Sequence, residues 1–319
     1  MLLFASLLVS AGSLPAAPPG AQRLDRARIT VIHYAGDSIL AAAVLDAATA
    51  RDTFPWLPRS KARIVIMVAP DAATFREWAG PSAGPATAAV AFAEQHRVVM
   101  RGRAATPNSG DPLRTLRHEL AHVALYEFLG FHAVRWFDEG YASLAAGEDR
   151  NDGFLAVNAA LVFRRMPSLA ALDTLLTSPR PEVARAGYSL ALRAVTDLAL
   201  IDRVRGLDPL LVEWKARGTL DLALRGAFAV TTEGFERDWQ QRTRWRFALL
   251  SVVLDSAMGG LALVLLFAPL YRSRRNAQRA RLDEMRRREA ITELTNRSEV
   301  VETLMRSIRP ATDASGPHA

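Results

Sequence analysis

The sequence predicts an α+β fold: a small mixed sheet with flanking helices, a helical lobe, and then one membrane-spanning helix. Three observations predict it. Short β-branched runs alternate with helical segments in the N-terminal third; almost everything from Asp111-Pro112 to Trp245 has helical patterning; and residues 247–270 form one long apolar run.

Residues 1–20 read as a signal peptide and linker. Met1–Val9 (MLLFASLLV) is too short to span a bilayer, small residues follow it from Ser10 to Ser13, and Ala16–Gly20 is AAPPG. Arg28–Tyr34 (RITVIHY) and Ala62–Val68 (ARIVIMV) have the β-branched content of strands, and Ser38–Ala50 between them is helical. Asp71 caps a short helix running to Trp78, and Gly80–Pro85 (GPSAGP) is a loop. Ala89–Ala93 and Arg97–Arg101 alternate around Glu94-Gln95-His96 and predict a hairpin. Asp111-Pro112 then opens a long helix ending near Leu129.

Composition narrows the chemistry. The 319 residues include no cysteine, which excludes disulfides, thiolate metal sites and a cysteine nucleophile. The net charge of +7 is almost all arginine, since lysine occurs only at Lys61 and Lys215. The excess gathers near the C-terminus with no nucleic-acid recognition motif, so it fits a basic tail or a membrane surface and not nucleic acid.

Phe247–Leu270 counts 24 residues. As a helix it is about 36 Å long, enough for a hydrocarbon core of about 30 Å. Asp255 interrupts it in the first half, where the penalty is smaller than the roughly 2.5–3.5 kcal/mol of a span centre. The arginines at 272, 274, 275, 279 and 281 outnumber those before the span, which places residues 271–319 in the cytoplasm. A cleaved signal places the body, 21–245, outside, so the sequence predicts a single-pass protein of the cell membrane. In the tail, Ile291, Leu294, Val301, Met305 and Ile308 form a broken stripe. It suits a helix near anionic lipid, a self-association helix or a solvated tail.

The long helix contains His118-Glu119-Leu120-Ala121-His122. Histidines four apart on a helix are about 40° off one face and about 6 Å apart along the axis, so both can reach one metal ion. Glu119, rotated about 100° from His118, is free to act as a base toward water. A third ligand should lie downstream. Leu125 and Phe128 stand where a third-histidine pattern would need Gly and His. His132 is available, but no known spacing uses it. Glu139, in Trp136-Phe137-Asp138-Glu139-Gly140-Tyr141-Ala142, follows His122 after 16 residues, room for a turn near Gly130 and a returning helix. Asp138 is its rival, and Gly140 would let helices approach closely.

HELAH followed by WFDEGYA resembles the gluzincin, or peptidase MA-like, zinc metallopeptidases, whose pattern is HExxH and then a tryptophan shortly before Glu-Gly-x-Ala. The resemblance runs from about Arg28 to Arg244. It includes the apolar strand HRVVMRG (His96–Gly102), the tyrosine in Ala186-Gly187-Tyr188-Ser189, and an ending around Gly234-Phe235-Glu236 and Trp239. It implies a zincin-like domain with one zinc held by His118, His122 and Glu139, Glu119 as base, and hydrolysis of peptide or protein substrates, with endopeptidase favoured. Tyr188 matches the tyrosine that often stabilises the oxyanion in this group; packing between helices is its other reading. Ala89–Ala93 reads either as the edge that pairs with an extended substrate or as a core strand. A membrane-anchored scaffold with an inactive site is the competing function.

Overall fold

A computed structural model describes residues 18–81, 83–84, 87–103, 110–148 and 166–245, with isolated positions beyond. The chain divides into two units, Met1–Ala248 and Leu249–Ala319. The signal segment, most of the 247–270 span and nearly all of the tail lie outside the described residues. Among the described residues no helix is long and apolar enough to cross a membrane.

The first unit is built on a five-stranded sheet ordered β1-β2-β3-β5-β4. The strands are β1 (Gln22–Arg26), β2 (Ile29–His33), β3 (Ile64–Ala69), β4 (Ala89–Phe92) and β5 (Arg97–Arg101). β2, β3 and β5 run parallel in the centre, and the hairpin partners β1 and β4 close the two edges antiparallel. The central strands bury both faces, as parallel strands do. Ile29, Val31, Ile64, Ile66, Val68, Val98 and Met100 face the main core. Ile32, Val65, Met67, Ala69 and Val99 face a smaller cluster under Phe75 and Ala79 of α2 (Ala72–Ala79).

On the main-core face lie α1 (Ser38–Ala50) and α3 (Pro112–Leu129), the latter against β4 and β5. α3 starts where Asp111 accepts from the Leu113 N–H with Pro112 in the first turn. It stops at Gly130, whose φ of 83° is the left-handed conformation of a helix end. After a short turn, α4 (Arg135–Ala146) returns along α3. Val134 supplies no side-chain cap; Asp173 of α5 (Leu169–Leu176) instead accepts from the Trp136 N–H at 2.8 Å, fixing the start of α4 from a neighbouring helix.

α6 (Pro181–Ala199) packs along α4. A β-carbon on Gly140 would meet the Ala191 carbonyl oxygen at 2.5 Å and Val195 Cγ2 at 2.8 Å. The glycine that the sequence marks for close approach is therefore the contact between α4 and α6, the helix carrying Tyr188. α7 (Asp208–Arg217), α8 (Leu220–Phe228) and a helix over 232–245 (α9) complete the lobe, with Trp214, Phe235 and Trp239 fully buried.

Candidate metal centre

His118 and His122 project from one face of α3, with ring centroids 4.9 Å apart. Glu139, just past the first turn of α4, stands opposite them. Its Oε2 lies 3.4 Å from His118 Nε2 and 3.8 Å from His122 Nε2. One donor atom from each of the three falls within 4.8 Å of the others, so the group could hold a metal ion. All three side chains are 13–16% exposed, shielded without being fully buried.

The 3.4 Å separation is long for a hydrogen bond and also suits two ligands of one ion. Two donors about 2.1 Å from a tetrahedral centre stand about 3.4 Å apart, whereas an N–H···O bond closes to about 2.9 Å. Both remaining ring nitrogens are also occupied. His118 Nδ1 lies 2.9 Å from Glu148 Oε1, and His122 Nδ1 lies 2.8 Å from Asp138 Oδ1. A carboxylate accepts, so each Nδ1 carries a hydrogen and it is Nε2 that faces the common point, where it offers a lone pair once its own proton has left.

The structure thus separates the two rivals. Glu139 reaches both Nε2 atoms, while Asp138, one residue earlier and rotated about 100° around the helix, reaches the outer nitrogen of His122. Glu148 was not indicated by the sequence: it lies beyond the motif, and no spacing rule points to it. His132 is exposed, pairs with Glu94 at 3.1 Å and lies tilted against Tyr126, and it is not one of the three grouped donors.

The electrostatics follow from these pairings. Burial alone would depress the pKa of His118, but the carboxylates of Glu139 and Glu148 outweigh it and raise the metal-free imidazole to about 10. His122 is also raised, burial being overcome by Asp138. Burial disfavours the charged form of Glu139, yet the two histidines hold it below the ordinary carboxyl value. Glu119 moves the other way: burial pushes it up, and the histidines only partly counter this. The Ala91 backbone N–H hydrogen-bonds its carboxylate, so the base faces β4.

β4 is an open edge of the sheet. Arg101 N–H donates to Ala88 O, which makes 88–101, 90–99 and 92–97 the hydrogen-bonded pairs of the hairpin. Ala89 and Ala91 consequently turn their own N–H and C=O groups away from β5, and the Ala91 N–H is the one taken by Glu119. Tyr188 packs partly buried against the main core, and its hydroxyl pKa is raised by burial and then by the negative charge of Glu139, Glu119 and Glu148. It lies within electrostatic reach of the site from α6. No protein-family profile matches this sequence, and no curated protein is significantly similar to it.

Proposed function

We propose that the chain is a zinc-dependent peptidase, with zinc held by His118, His122 and Glu139. The observation that carries this reading is the convergence of two imidazole Nε2 atoms and one carboxylate at ligand spacing, with a fourth group, Glu119, adjacent but outside the donor triangle. The donor set suits zinc: two neutral nitrogens and one carboxylate, with room left for a further ligand. Bound there, zinc would polarise a peptide carbonyl and acidify water.

The chain's own residues account for the rest. Glu119, with its proton affinity raised by burial, takes a proton from the attacking water on a carboxylate oxygen and delivers it to the departing amine nitrogen. An extended peptide pairs with the Ala89 N–H and with the Ala89 and Ala91 carbonyls, the Ala91 N–H being held by Glu119, which sets its scissile bond beside that residue. The Tyr188 hydroxyl, kept protonated, donates to the oxygen that gains charge. The N-terminal signal, the 247–270 span and the basic tail support a membrane-anchored enzyme with this domain outside and the tail at the inner lipid surface.

The test is cleavage of an unstructured protein such as casein by the full chain beside its Glu119→Gln variant. Cleavage by the parent and its loss in the variant support the peptidase. A parent that binds zinc but cleaves nothing across a broad peptide set points to the scaffold instead.

A further inference from the structure

We infer that Glu148 is the positioning residue for His118: it holds the Nδ1 edge of the ring so that Nε2 is presented to the metal point. The inference rests on the metal-binding reading above and assigns a residue that lies outside the motif.

α3 and α4 face each other antiparallel, and Asp138 meets His122. His118 lies four residues earlier on α3, about 6 Å away. Its partner in strict antiparallel register would come four to five residues after Asp138, at Ala142 or Ser143. Neither offers a carboxylate. The chain reaches His118 in another way. α4 ends at Ala146, and Gly147 adopts the left-handed conformation, φ 67° and ψ 34°. Its N–H bonds back to Leu144 O, and the Glu148 N–H bonds to Ser143 O at 3.0 Å. These two bonds pin the Glu148 backbone on the last turn of α4, and its longer side chain covers the remaining distance to His118 Nδ1, 2.9 Å.

The placement runs against helix electrostatics. An acidic side chain just past a helix C-terminus meets the negative end of the helix dipole, an unfavourable position by about 0.3–1 kcal/mol. Helix stability therefore gives no reason for a glutamate at this position, whereas the bond to His118 does. One helix, α4, then supplies every carboxylate of the centre except the base: the ligand Glu139, the brace on His122 from its first turn, and the brace on His118 from beyond its last.

The experiment measures zinc dissociation constants by competition with a chromophoric chelator, using the full chain and the variants Glu148→Ala and Glu148→Gln. Glu148→Ala should bind zinc about 10- to 100-fold more weakly. Glu148→Gln should recover most of that loss, because its amide oxygen still accepts from Nδ1–H. The zinc-loaded parent should show the His118 Nδ1–H resonance shifted downfield and slow to exchange, and Glu148→Ala should move it upfield with faster exchange as its acceptor is lost. Parent-like affinity in Glu148→Ala, or a Gln variant as weak as the Ala variant, would overturn the assignment. A parent that binds no zinc would instead sink the metal reading itself, and the two failures are distinct.

Discussion

Gly140 and Ala191 touch backbone to backbone: a β-carbon on the glycine would lie 2.5 Å from the alanine carbonyl oxygen. Since Gly140 follows the candidate ligand Glu139 directly, this contact sets the depth at which α4 presents its carboxylates. Gly140→Ala must push α4 from α6. Overpacking of this kind costs about 1–3 kcal/mol, and here it also displaces Glu139. The expected outcome is a lower melting temperature together with weaker zinc binding. Gly36→Ala is the comparison, because nothing lies within 4 Å of its added β-carbon and its backbone is not in the left-handed region.

The pairings at His118 predict a pH dependence. Its folded pKa, about 10, stands above the ordinary value of 6.5. A raised histidine stabilises the metal-free fold fully below pH 6.5, and the contribution fades as pH climbs through the folded value near 10. Metal-free protein should therefore lose stability across that interval in denaturant titrations. Zinc uptake has the opposite sign: the proton on His118 must leave first, so apparent affinity should rise with pH, about tenfold per unit for each proton released. A pH-independent zinc affinity between 6 and 9, measured by competition at several buffers, would show that these imidazoles are not proton-loaded as described.

Tyr188→Phe separates its two readings. As a hydrogen-bond donor to the developing oxyanion, its loss should lower turnover about 10²–10³-fold with zinc content unchanged. A tyrosine that only packs helices would leave turnover near the parent value, because phenylalanine keeps the ring.

Much of this arrangement was legible in the sequence because it rests on local periodicity. The four-residue spacing of His118 and His122 carries its own geometry once the segment is helical, and the capped Asp111-Pro112 start makes it so. The hairpin around Glu94-Gln95-His96 is read from alternation, and β4 and β5 occupy the expected places. What was not legible depends on contacts distant in the chain. β1, QRLDR, is an edge strand with only Leu24 partly buried, so it lacks the alternation that marks a strand. The motif already favoured Glu139 over Asp138; what it did not show is the part Asp138 plays at His122 Nδ1, which follows from the rotation of α4 about its axis. Glu148 needed the left-handed turn at Gly147, whose consequence appears only when α3 lies alongside.

Topology is tested on intact cells. The arginine bias around the 247–270 run predicts that protease added to spheroplasts removes the body and spares a fragment that holds this run and the tail from Arg272 onward. Removal of the tail with protection of the body would reverse the orientation.

Glu119→Gln and His118→Ala should fail in different ways. The glutamine keeps its shape but cannot accept the proton, so cleavage should fall by about 10²–10⁴-fold while zinc stays bound. His118→Ala removes a ligand and should lose zinc and cleavage together. Cleavage at the parent rate in Glu119→Gln would show that another group is the base.

The central claim is that α3 and α4 bring His118, His122 and Glu139 to one zinc ion, and metal analysis tests it most directly. Mass spectrometry of the purified full chain, beside Glu139→Ala, should find one zinc per parent chain and much less than one in the variant. No zinc in the parent under zinc-replete conditions, or an undiminished content in Glu139→Ala, would contradict it.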